Sequence, residues 1–242
     1  SPTIRDDMLD FYQRYYSASR MTLVVVGDYP LSVLKNMVVK RFDSVPNNGS
    51  QPEAINVPLL ISDNNRLPLI LAVQAEKPIR QLRLTFPMPD LSNDFRTKPL
   101  SYIGNILGHE GKGSLLSLLK VAGWAEGLAT GVGLNYTGGA TFQINIALTE
   151  KGVEEFQQVT DEGFFAIRYL DQQHNQHPEL SRALFIGQRQ LADMAFRFYQ
   201  RPNVMSAAMG AAANLHFYPP TDVIFGDYDY SEYRPELIAD RL

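Results

Sequence analysis

Gln81-Leu82-Arg83-Leu84-Thr85-Phe86-Pro87-Met88 alternates apolar and polar side chains along its whole length. A period of two puts Leu82, Leu84, Phe86 and Met88 on one side of an extended chain, the pattern of a strand with one face on a core and one in water. Thr141-Phe142-Gln143-Ile144-Asn145-Ile146-Ala147-Leu148 repeats the alternation after the turn-forming pair Gly138-Gly139. One-faced alternation belongs to antiparallel sheets, because strands of parallel sheets are covered on both faces and read as unbroken apolar runs. The sheet is therefore expected to be largely antiparallel, with Leu69 to Gln74 as a further strand.

Helical spacing surrounds these strands. Lys98 to Leu107 and Ser114 to Val121 read as two helices joined by Gly108-His109-Glu110-Gly111-Lys112-Gly113, with Gly108 expected to end the first in the left-handed conformation and Ser114 to cap the second. Downstream, Thr149 caps a helix carrying Val153, Phe156, Val159, Ile167 and Leu170, and Pro178 opens another presenting Leu180, Leu184, Leu191, Met194 and Phe198. A third, around Val204 to Leu215, is so rich in Ala and Gly that burial or close helix contact is expected. Phe196, Phe198 and Tyr199, with Arg197 and Arg201, read as core aromatics with snorkelling arginines. The fold class is α+β: a mainly antiparallel sheet with helices packed on one face.

Toward the N-terminus, Ile4, Met8, Phe11, Tyr12 and Tyr15 share a helical face, with Thr3 as the expected N-cap. Met21-Thr22-Leu23-Val24-Val25-Val26-Gly27 reads as a strand buried on both faces. Asp28 and Pro30 open a helix whose Leu31, Leu34, Val38 and Phe42 should pack back on that strand. Pro46 to Glu53 lacks bulky apolar groups and holds two prolines, which marks a domain boundary. The residues before it are too few to bury a core alone, so residues 1–48 are expected to be the tail of an upstream domain. Residues 54–242 form the next domain on this reading, and the Ser1-Pro2 opening without an initiator Met fits an excised piece.

Composition narrows the chemistry. A net charge of -4 with scattered Lys and Arg gives no obvious source for counterion release, so nucleic acid is not an expected partner. No apolar run approaches the roughly 20 residues of a membrane span, and the absence of cysteine excludes thiol chemistry. His109, His174, His177 and His216 form neither H-E-x-x-H nor H-x-x-E-H, so no local pair of imidazoles can start a zinc site. His174 and His177 lie in a polar stretch that reads as a solvated loop. Lys112 is followed by Gly113 rather than Ser or Thr, and its loop follows a helix, which argues against a phosphate loop. Without G-x-S-x-G there is no nucleophile elbow. Glu110 stands in a loop whose exposed carbonyls could help hold a peptide's terminal ammonium, although a solvated carboxylate is the plainer reading.

Gly108-His109-Glu110-Gly111-Lys112-Gly113-Ser114-Leu115-Leu116-Ser117, followed by Gly123-Trp124, resembles the second domain of insulin-degrading-enzyme-like zinc peptidases, the insulinase or pitrilysin family. Thr85-Phe86-Pro87-Met88-Pro89-Asp90-Leu91, Leu148-Thr149-Glu150-Lys151-Gly152, Ala195-Phe196-Arg197-Phe198, His216-Phe217-Tyr218-Pro219 and Tyr233-Arg234-Pro235-Glu236-Leu237 extend the likeness over essentially the whole chain. The resemblance implies repeated α+β domains enclosing a chamber in which a zinc metalloendopeptidase degrades peptides. It places the zinc ligands, in H-x-x-E-H and a later glutamate, in the first domain before Ser1. It thus implies no catalytic residue and no bound metal in this chain, with zinc as the cofactor of the full-length enzyme.

By the same resemblance, the second domain anchors the N-terminal end of a peptide at an exosite formed by Gly104, Asn105, Gly108, Glu110, Leu128, Ala129, Thr130 and Val132. Asn105 stands where relatives carry a histidine, and Thr130 and Val132 where they carry a glycine and a glutamine. The implied partners are peptide substrates and the remaining domains of the same polypeptide, with no nucleic acid and no membrane. A competing reading is a noncatalytic binding or assembly module from a family member whose zinc motif has decayed.

Overall fold

Period-two alternation becomes pairing in the computed structural model, which describes residues 2–51, 68–136 and 138–242. The elements are α1 (Pro2–Tyr15), α2 (Leu31–Phe42), β1 (Gln81–Met88), α3 (Pro99–Leu107), α4 (Leu115–Val121), β2 (Ala125–Tyr136), β3 (Gly139–Leu148), α5 (Glu150–Glu154), α6 (Phe156–Gln176), α7 (Pro178–Arg197), α8 (Val204–Asn214) and α9 (Pro235–Asp240). The strands form an antiparallel sheet in the order β1-β3-β2. Register sets Leu82 opposite Ile146, Leu84 opposite Ile144 and Phe86 opposite Phe142, so the apolar sets of both strands share one face. Opposite them, Arg83 Nε donates to Asn145 Oδ1 at 2.7 Å on the polar face.

Helices cover the apolar face, with α3 and α4 against β2 and α6 against β1. Ile144, Ile146, Leu119, Val159 and Ile238 are fully buried there, beside Leu100, Tyr102 and Ile103 of α3. The caps follow the sequence. Ser114 accepts from the Ser117 amide, and Thr149 accepts from the Gly152 amide. Helix α7 begins at Pro178, while the helix expected from Thr149 onward is broken at Glu155 into α5 and α6.

Two compact units are present, one of Ser1–Ala54 with Phe196–Asp227, the other of Ile55–Ala195 with Tyr228–Leu242. In the first, buried Ser17 accepts from the Asn48 amide at 3.1 Å, and Ala18 donates to the Pro46 carbonyl at 2.8 Å. Thr22 Oγ1 donates to the Ala212 carbonyl at 2.7 Å, joining the segment after α1 to α8. Part of the expected boundary, residues 52 and 53, lies outside the described residues, as does residue 54.

Several expectations need correction. Met21 to Gly27 pairs with no strand among the described residues, and Met21, Leu23, Val25 and Val26 are exposed. Leu69 to Gln74 is likewise unpaired, with Leu69, Ile70, Leu71 and Val73 exposed. An apolar run specifies a tendency to pair, but a strand exists only where a partner stands at hydrogen-bonding distance. Leu34 does lie over Gly27, yet Leu31 and Phe42 are exposed. Helix α1 starts at Pro2, one residue before the expected cap, and its Ile4, Met8, Phe11 and Tyr12 are exposed. On α7 the stripe Leu180, Leu184, Leu191 and Met194 is exposed, and the buried positions are Ser181 and Phe185. Helix α8 buries no residue fully, and Met205 and Met209 face outward. Phe196 packs edge-on against Phe225, but Phe198 and Tyr199 are exposed.

His174 is the sharpest departure, since it sits in α6 and is 6% exposed rather than in a solvated loop. Its Nε2 donates to the Pro235 carbonyl at 3.0 Å, which leaves Nδ1 to accept from Ser181 Oγ at 2.6 Å. Tyr233 donates to the same Ser181 oxygen at 3.1 Å, and Tyr102 lies 3.0 Å from it. Burial pushes the Tyr102 phenol above its ordinary pKa, although its bond to Ser181 acts the other way. Four elements and the segment before α9 are thus tied by one satisfied network. Ser181→Ala would strip a donor from His174 and an acceptor from Tyr233, so denaturant unfolding is expected to show a loss of about 1–3 kcal/mol. A change within error would mean that the network contributes nothing to stability.

Candidate functional site

Strand β2 is an edge strand, paired on one side to β3 and open on the other among the described residues. Three glycines and no clean alternation gave it little signal as sequence. Its pairing with β3 holds it extended, with Leu128, Thr130 and Val132 opposite Ile146, Ile144 and Phe142. Helix α3 crosses this strand closely. A Cβ on Gly104 would lie 3.3 Å from the Gly131 Cα, and one on Gly108 would lie 2.8 Å from Thr130 Oγ1 and 2.9 Å from the Gly104 carbonyl oxygen. Thr130 Oγ1 donates to that same carbonyl at 2.5 Å.

Gly108 has φ -81°, so it ends α3 without entering the left-handed conformation expected of it. The requirement for glycine here is close approach, not a positive φ. The left-handed position falls at Gly113, with φ +85°. The Gly113 amide donates to Ser117 Oγ at 3.1 Å, and the Gly111 amide donates to His109 Nδ1 at 3.0 Å, which orders the loop between α3 and α4.

Between α3 and β2 lies an open groove of about 560 Å³. Gly104, Asn105 and Gly108 line it from the helix, and Ala129, Thr130 and Val132 line it from the strand. Six of the eight sequence-derived positions therefore meet in one place. Leu128 is partly buried against the core instead, and Glu110 is exposed on the loop and does not line the groove. Ser101, Gly131, Gln188 and Tyr230 also line it and were missed. Ser101 stands three and four residues before Gly104 and Asn105, a helical spacing that would have found it. Gln188 and Tyr230 arrive from distant segments and carry no such signal. Burial raises the Tyr230 phenol above its ordinary pKa, with a hydrogen bond from Ser101 opposing the shift. The lining contains no ionisable acid or base other than this phenol.

The fold is therefore an antiparallel sheet backed by helices, with a neutral groove beside its β2 edge. The sequence profile described as the peptidase M16 inactive domain matches residues 3–176, and the chain belongs to peptidase family M16, the insulinase or pitrilysin family. Human nardilysin is 32% identical over 241 residues, covering 96% of this chain and 20% of that protein. Bovine insulin-degrading enzyme is 34% identical over 236 residues, covering 97% of this chain and 22% of that protein. The crystal structure of pitrilysin superposes with a TM-score of 0.82 at 22% identity, over 100% of this chain and 25% of that one, and shows the shared fold. The chain thus spans about a fifth of the length of these curated relatives.

The zinc ion implied by the family does not fit the described residues. No group of three or more His, Cys, Asp or Glu side chains is placed among them to hold a metal. His174 is engaged as above, His177 lies 3.5 Å from Glu179, His109 accepts from Gly111, and His216 Nε2 is 3.1 Å from Thr22 Oγ1.

The groove's width follows from its glycines. Gly108→Ala would force a methyl against both a side chain and a backbone carbonyl, and about 1–3 kcal/mol of destabilisation is expected in thermal unfolding. Adding Thr130→Ala should recover only part of that loss, because the backbone contact remains. Full recovery would locate the whole clash at Thr130.

Proposed function

We propose that this chain is the noncatalytic second-domain portion of a zinc-dependent metalloendopeptidase that degrades peptides in an enclosed chamber. On this reading residues 1–48 are the tail of the upstream catalytic domain, and residues 54–242 supply chamber wall and a substrate-anchoring exosite. The observation that carries it is the meeting of Gly104, Asn105 and Gly108 with the open edge of β2 at Ala129, Thr130 and Val132. An edge strand presents N–H and C=O groups that a peptide can extend by β-augmentation, and this needs no particular side chain, so the replacements at Asn105, Thr130 and Val132 leave it possible. Glycines alongside let the added backbone come close.

Membership of M16 supports a peptidase as the full-length protein. Exposed apolar groups at Ile4, Met8, Phe11, Val25, Val26 and Leu31 support the remaining domains of the same polypeptide as partners, because so many large apolar side chains left in water are commonest at interfaces. On this reading, bond cleavage belongs to polypeptide other than these residues.

The purified chain is expected to hydrolyse no peptide, with or without added zinc. Zinc-dependent turnover with stoichiometric metal binding would overturn the assignment. A second measurement addresses Glu110. If its carboxylate meets the peptide's terminal ammonium, Glu110→Gln should weaken free-amino peptides more than acetylated ones. Because the group is exposed, the difference should be no more than about 1 kcal/mol. Equal effects on both peptides would remove Glu110 from the exosite.

A further inference from the structure

Leu180, Leu184, Gly187, Leu191 and Met194 recur along α7 at steps of four and three, and the four apolar side chains are all exposed. The buried residues of the helix, Ser181 and Phe185, lie on an adjoining side, so this row is distinct from the contact that holds α7 in its unit. Steps of four and three average 3.5 residues, the spacing of the a and d positions of a coiled coil. Leu184 and Leu191 are then a positions, and Leu180, Gly187 and Met194 are d positions. A row of this kind fits a second helix whose side chains enter the holes of the first. Gly187 leaves a gap at its middle, where an added Cβ would meet nothing within 4 Å.

That gap decides which helix fits. In a parallel pair of like helices d faces d, so Gly187 would face Gly187 and leave a void, which close-packed surfaces exclude. In an antiparallel pair a faces d, so Gly187 of each copy meets a leucine of the other, Leu184 or Leu191, and the gap takes the knob. The row is therefore complementary to itself about a two-fold axis, the commonest symmetry of soluble oligomers. Charge does not oppose the pairing, because Ala183 and Gln190, which flank the row on the side away from the core, are exposed and neutral.

We propose that α7 pairs antiparallel with α7 of a second copy of this chain. The inference is independent of the exosite reading. One helix per copy makes a small interface, so the pair belongs to the weak and reversible class.

Sedimentation velocity over a range of concentrations tests it. The unaltered chain is expected to pass from monomer to dimer with a dissociation constant on the order of 10–100 µM. Leu191→Glu, which puts an unpaired carboxylate into the row, should raise that constant at least about tenfold. Gly187→Leu should do the same by filling the gap. It should leave the thermal unfolding of the monomer no lower, since the new side chain meets no neighbour and favours the helix. The chain has no cysteine, so single substitutions report the geometry. Under oxidation, Gly187→Cys chains should cross-link to Leu184→Cys or Leu191→Cys chains and not to one another. A monomer at every concentration overturns the proposal and leaves the row to a different occupant. A dimer that Leu191→Glu leaves intact overturns it by placing the interface elsewhere, and cross-linking of Gly187→Cys chains to one another overturns it by making the pair parallel.

Discussion

Helix α3 meets strand β2 at a separation that side chains do not permit, and Thr130 fixes the two together by donating to the Gly104 carbonyl. That contact lets one helix act on both of its sides. Tyr102, Ile103 and Leu107 are buried in the core cluster, while Ser101 and Asn105 line the groove. Were the helix held further out by even a methyl group, the core layer and the groove would both change, because packed interiors absorb little extra volume.

The C-terminal part depends on a different constraint. Buried Ser181, His174 and Tyr102, with half-buried Tyr233, are polar groups joined by one set of hydrogen bonds. Such a network specifies the positions of α3, α6 and α7 together more sharply than apolar contacts do, since a small slip leaves several groups unsatisfied. It thereby holds α7, and with it Gln188, beside the groove. Near the hairpin of β2 and β3, Asp90 plays a lesser part. Its carboxyl is held below the ordinary range first by the Ser92 hydroxyl, then by the amides of Ser92 and Gly138.

The surfaces left open differ in chemistry. The groove is lined by neutral residues. Helices α1, α7 and α8, and the segment from Met21 to Gly27, expose large apolar side chains. Apolar periodicity in those segments was real and correctly placed the helices. It did not say which stripes the chain itself would cover. The Leu180, Leu184, Leu191 and Met194 stripe of α7 is regular, yet the side of that helix facing the core is marked by Ser181 and Phe185.

Sequence by itself determined the strands β1 and β3, their shared apolar face, the caps at Ser114 and Thr149, the start of α7 at Pro178 and, through its motifs, the family. These are local or near-local properties, because periodicity and capping are set by a residue's own backbone and its neighbours within a turn. Tertiary structure alone decided that β2 runs from Ala125 to Tyr136 along the sheet's edge, that His174 is buried, that Gly108 serves close approach, and that Gln188 and Tyr230 join the groove. Each of those depends on what stands opposite across the fold, and no pattern along one segment encodes the identity of the segment that will face it.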